Sequence, residues 1–187
     1  MIEKTQECHR KGENAMKEYL LLLPIIFIFH DMEEIIGFPL FFRKNPDVFG
    51  KYQKLTAAYR EITNEGFAVA VYEEFIPFFG VSLLAYYFPS AVLYAVWYGI
   101  MLSLTLHFVL HLIIPVYVGR FIPSVITSCI CLPVCILIMI KTAPFLTFDP
   151  LTVSLIVLTV PAMMANGKLA HKLMHLFSRW INKNIPA

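Results

Sequence analysis

Residues 92–118 read VLYAVWYGIMLSLTLHFVLHLIIPVYV, 27 positions without an aspartate, glutamate, lysine or arginine. About 20 predominantly apolar residues in a helix cross the hydrocarbon core of a bilayer. The run has no period-two alternation of the kind a membrane barrel needs. Backbone groups in lipid must bond within their own segment, so this stretch is predicted to be a transmembrane helix. His107 and His111 are its only histidines, and they stand one helical turn apart.

Working outward, four more runs qualify: residues 19–42, 67–88, 121–140 and 151–178. Together they predict an all-α polytopic membrane helix bundle of about five transmembrane helices, a single domain over residues 19–180. A polar arm (1–18), in which four acids mix with four bases, precedes it, and a short tail (181–187) follows. The arm lacks the basic-then-apolar order of a secretory signal. The composition agrees, with 58% hydrophobic and 15% charged residues and a mean hydropathy of +0.68. An ordinary soluble domain is about 25% charged. A cytosolic enzyme, a disordered linker and a nucleic-acid binder are thereby excluded, and the lipid bilayer is the expected partner. The formal net charge of +2 points to no other, and the oligomeric state is left open. Three of the four cysteines, Cys129, Cys131 and Cys135, lie inside one apolar run, which argues against a disulfide framework. They read as small core residues.

Five spans put the termini on opposite faces. One face carries Lys4, Arg10, Lys11, Lys17 and Lys141. The other carries ten bases, from Arg43, Lys44, Lys51, Lys54 and Arg60 through Arg120 to Lys168, Lys172, Arg179 and Lys183. The positive-inside rule places the richer face, with the first connector and the C-terminus, in the cytoplasm and the N-terminus outside.

Several titratable residues fall where lipid would surround them: Asp31, Glu33, Glu34, Glu73, Glu74, His30, His107 and His111. Such residues are costly unless they face the bundle, pair or bind something. His30, Glu33 and Glu34 stand at i, i+3 and i+4, on one face of one helix. His107 and His111 have the spacing used to grip one metal ion. Counting inward from Arg43, Gly66 and Arg120, the residues Glu34, Glu73 and His111 lie roughly 10–14 Å deep, and His30 and His107 about 20 Å. Glu74 is the alternative to Glu73. In the last span Asn166 and His171 match the same levels and form a second tier. Pro77 and Pro115 remove the amides that would bond the carbonyls of Glu73 and His111. That fits either a local kink at the site or the general abundance of proline in membrane helices.

Imidazole with carboxylate suits zinc, iron or manganese. The metal candidates are therefore His30, Glu33, Glu34, Glu73, His107 and His111, for one or two divalent ions, zinc or iron before others. The competing reading is a buried hydrogen-bond network, a weak return for burying several carboxylates.

The run His30-Asp31-Met32-Glu33-Glu34 in a first membrane helix, an acid in the second, the histidine pair at 107 and 111, and Tyr117, Pro123 and Thr127 after it resemble the HXXEE-domain family of small bacterial membrane proteins. The resemblance implies a metal-dependent enzyme of the bacterial cytoplasmic membrane and names no substrate. Two other frameworks fit less well. Six histidines are too few for the histidine boxes of membrane desaturases, and Phe38 stands where an EExxxR protease needs arginine.

The expected function is a metal-dependent membrane hydrolase acting on a lipid or lipid-linked substrate. In it, His107, His111 and Glu33 or Glu34 hold the ion, His30 ligates or orients, and Glu34 or Glu73 is the catalytic carboxylate. The alternatives are a di-iron membrane oxidoreductase and a cation or proton transport protein built on the same cluster.

Overall fold

A computed structural model of the chain describes residues 14–60 and 62–185. The polar arm up to position 13, Glu61 of the first connector and positions 186 and 187 of the tail lie outside the described residues.

Five long helices carry the fold: α1 (Leu22–Lys44), α2 (Asn64–Tyr87), α3 (Ala91–Val118), α4 (Val125–Thr142) and α5 (Pro150–Asn184). No strand occurs among the described residues. The helix starts follow local chemistry. Oxygens of Thr63, Ser90 and Asp149 accept the amides of Gly66, Leu93 and Thr152 at 3.0, 3.2 and 2.7 Å, satisfying donors that an uncapped first turn would leave bare. At its far end α3 stops at Gly119, whose φ of 70° closes the αL cap with its amide 2.8 Å from the Pro115 carbonyl. Arg120, next in the chain, pairs with Asp47 at 2.8 Å and bonds the Asn45 side chain, tying this corner to the connector after α1.

Among the described residues four helices, α2 to α5, are long and apolar enough to cross a membrane. The sequence predicts five spans. The difference lies in α1, which is 23 residues long but carries Asp31, Glu33 and Glu34 at its centre. Its buried stripe is Leu23, Phe27, His30, Asp31, Glu34, Phe38 and Phe42, the i, i+3/i+4 spacing of one helix face. Its outer face shows Ile25, Phe29, Met32 and Ile36. A helix apolar on both faces belongs in lipid or a large core, so the acids that lower its hydropathy are those turned into the bundle or bound there. At 35 residues α5 is about 52 Å long, well beyond a hydrocarbon core of about 30 Å.

α5 packs most extensively, along α2 and α3, while α1 lies against α2 and α4. Between the helices the contacts are aromatic and close. Phe27 stacks on Phe78 with ring centroids 4.1 Å apart, and fully buried Trp97 donates its indole N–H to the Leu20 carbonyl at 3.0 Å. A 3-10 turn, Ala57–Tyr59, folds back from the first connector so that Tyr59 stacks on Phe38 at 4.9 Å and meets the edge of His171 at 5.8 Å.

Candidate metal centre

α1 and α3 bring four side chains to one point. Oε1 of Glu34 lies 2.9 Å from Nε2 of His111, 3.3 Å from Nε2 of His30 and 3.9 Å from Nε2 of His107. Nε2 of His107 and of His111 are themselves 2.8 Å apart. One ligand atom from each of the four residues falls within 4.8 Å of every other, so the group could hold a metal ion. With bonds of about 2.0–2.1 Å, tetrahedral ligand atoms stand about 3.3–3.4 Å from one another, and the distances here scatter around that value. The two depths inferred from the sequence thus merge, because the i, i+4 pairs on each helix point their reaching atoms at a common centre.

The surroundings fix which ring nitrogen faces inward. Thr127, in the first turn of α4, donates its hydroxyl proton to Oε2 of Glu33 at 2.6 Å, and its amide bonds the same oxygen at 2.8 Å. A hydroxyl has one proton. The Thr127 oxygen therefore accepts from Nδ1–H of His30, 2.8 Å away. That leaves a lone pair on Nε2 of His30, aimed at Glu34. Nε2 of His30 and Oε1 of Glu34 are both buried without a hydrogen-bond partner. Two acceptors held face to face need a cation or a proton between them. On the other ring, Oγ of Ser124 lies 2.7 Å from Nδ1 of His111.

The turn that delivers Ser124 and Thr127 is seated against α1 at Gly37, where a side-chain Cβ would collide with Cβ of Pro123 and come 2.7 Å from its Cγ. Ser124 has a φ of 86°, the one positive value on a non-glycine residue among the described residues. Such strain persists where the surroundings over-determine it, here the hydrogen bond to His111.

The chain matches, over residues 21–138, the family described as proteins of unknown function with an HXXEE motif. It belongs to the HXXEE family. No curated protein and no solved structure matches it. The motif can now be read position by position in this HXXEE protein. His30 and Glu34 enter the four-residue group. Glu33 turns aside to Thr127 and sets the tautomer of His30 through that hydroxyl, so it stands one layer behind the centre.

Of the other residues singled out in the sequence, Glu73 and Asn166 pair with each other, amide to carboxylate, at 3.2 Å and outside the converging group. Glu74, Asp31 and His171 line a cavity of about 420 Å³ that also reaches Glu34 and His107. Of the group's rings, His107 is the open one, its side chain 43% exposed against 9% for His111 and 0% for His30. Cys131 and Cys135 are buried free thiols and take no part in the four-residue group.

Sequence reasoning left Ser124 and Tyr59 unmarked. Their signal was weak, a serine after a proline in a loop and a tyrosine in a polar connector. Asp31 stands among the intramembrane acids, and its spacing assigns it no role. Burial pushes the Tyr59 phenol up, and the charges of Glu34, Glu74 and Asp31 add to the effect, which puts all three carboxylates within electrostatic reach of that ring.

Proposed function

We propose that this HXXEE protein is a metal-dependent integral membrane enzyme that binds one divalent cation, zinc or iron, through His30, Glu34, His107 and His111, and hydrolyses a lipid-like substrate held in the adjoining cavity. The observation that carries the reading is the convergence of three imidazole nitrogens and one carboxylate oxygen with too few protons to go round. His30 spends its proton on Thr127, and a single proton on Nε2 of His111 can serve either Glu34 at 2.9 Å or His107 at 2.8 Å. A buried hydrogen-bond network would need a further proton to keep acceptors from facing one another. A cation would satisfy all four at once, and three imidazole nitrogens with a single carboxylate oxygen suit one zinc or iron ion better than a two-iron cluster.

When bound, such an ion supplies Lewis-acid activation of water or a carbonyl. The residues of the chain do the rest. Glu34 belongs to the ligand set and also lines the cavity, so it is the carboxylate in position to accept a proton. The hydroxyl of Thr127 keeps His30 in the tautomer that offers Nε2. The apolar walls exclude bulk water and accept an alkyl chain, with Phe27, Phe78 and Met163 among them. On the positive-inside reading the first connector and the C-terminus face the cytoplasm.

Elemental analysis of the detergent-purified protein tests this. Near one equivalent of zinc or iron is expected in the native protein, with loss in both His111→Ala and Glu34→Ala. Native protein that stays metal-free after reconstitution overturns the proposal.

A further inference from the structure

Five acids lie in the central parts of α1 and α2, and three of them are accounted for. Glu34 meets the imidazoles, Glu33 is bound by Thr127, and Glu73 takes the Asn166 amide. Asp31 and Glu74 remain. Asp31 is 4% exposed and its Oδ2 is buried with no hydrogen-bond partner. It lies within electrostatic reach of Glu34 and Glu74. Glu74 likewise has no hydrogen-bond or ion-pair partner among the described residues. Both line the cavity beside the candidate metal centre, and so does His171, whose Nδ1 is a further buried atom without a partner.

The lining sorts into two chemistries. One part is apolar, with Phe27, Phe67, Phe78, Leu104 and Met174. The other is rich in carboxylates, and among the described residues no lysine or arginine lines it. Isolated buried carboxylates are expensive unless paired. A phosphate or carboxylate head would add like charge to this wall. A neutral hydroxyl would answer the hydrogen bonding but leave the charges unbalanced. A protonated amine brings both a positive charge and three N–H donors.

We infer that the cavity binds a long-chain amphiphile whose polar end is a protonated amine, with Asp31 and Glu74 as its countercharges and the aromatic and methionine walls around its chain. This names the substrate class of the proposed enzyme's own site, and so rests on that reading. A volume of about 420 Å³ is of the size that small-molecule sites have.

The test measures the midpoint of thermal unfolding of the detergent-purified protein against concentration of tetradecylamine, tetradecanol or tetradecanoate, with metal content determined on the same samples. Ligand binding to the folded state raises the midpoint with concentration. Tetradecylamine is expected to raise it most, tetradecanol less and tetradecanoate not at all. The double variant Asp31→Asn/Glu74→Gln is expected to lose at least about tenfold in amine affinity while keeping its affinity for the alcohol and its metal. Should that variant not fold, Gly167→Ala serves instead. Its new Cβ would lie 3.2 Å from Oε1 of Glu74, so that carboxylate must give by a few tenths of an ångström with every charge retained, and amine binding is expected to weaken. Tetradecanoate binding as tightly as the amine, or amine affinity unchanged in the variant that folds, overturns the inference. Full metal content without amine preference defeats the inference alone. Amine preference in protein that stays metal-free after reconstitution defeats the metal proposal and leaves the cavity assignment standing.

Discussion

Replacing Thr127 by valine removes one oxygen and keeps the shape of the side chain. That oxygen is 2.6 Å from Glu33 and 2.8 Å from Nδ1 of His30. Glu33 retains the Thr127 amide at 2.8 Å, so the carboxylate stays seated and the loss falls on His30. A buried donor left without its acceptor costs about 1–3 kcal/mol. The ring is then free to take the other tautomer, which points a proton instead of a lone pair at Glu34. Removing a group that orients a metal-binding histidine typically costs about 10–100-fold in affinity. Since tenfold is about 1.4 kcal/mol, the two figures agree. The assay is competition for the metal against a chelator of known affinity, in detergent. Thr127→Val is expected to weaken metal binding about 10–100-fold, and Thr127→Ser, which keeps the hydroxyl, is expected to stay near the native value. Thr127→Val with unaltered metal affinity would refute the orienting role.

Three further perturbations separate the centre from its neighbours. Gly37→Ala pushes the Pro123–Ser124 turn off α1, so metal affinity and the unfolding midpoint should both fall although residue 37 touches no ligand atom. Unchanged values would mean that the turn does not seat the site. Glu73→Gln should leave metal content at the native level, because the Glu73 carboxylate is paired with Asn166. Loss of metal there would return Glu73 to the ligand set. Asp149 caps α5, and the Thr152 amide bonded to its carboxylate holds its pKa below the ordinary carboxylate value. The cap's contribution is therefore present above the unfolded pKa of about 3.9 and is lost as pH falls through the lower folded value. Asp149→Ala should lower the unfolding midpoint at neutral pH, with the deficit shrinking in acid below about pH 4. A deficit independent of pH would assign it to something other than the charged cap.

The helical membrane architecture was legible in residues 92–118 alone, because lipid leaves the backbone few options. The meeting of side chains from α1 and α3 was legible for a different reason. His30 with Glu34 and His107 with His111 share the i, i+4 spacing, and that spacing survives folding unchanged. What could not be read was rotation between helices. Glu73 and Glu74 are neighbours on α2, and only packing against α5 decides that Glu73 meets Asn166 while Glu74 faces the cavity. Glu33 shows the same limit. Helical spacing puts it beside His30 and Glu34, and a hydroxyl 94 residues away takes it out of the centre. α1 is legible as a span in residues 19–42, although the acids that form its site lower its hydropathy.

The most direct test of the metal centre is X-ray absorption at the metal edge of the purified native protein. One ion per chain with a first shell of about three imidazole nitrogens and one carboxylate oxygen, at roughly 2.0–2.1 Å, is the expected spectrum. A sulfur shell at about 2.3 Å, which would bring in Cys131 and Cys135, would contradict the assignment, as would a protein that binds no metal in stoichiometric amount.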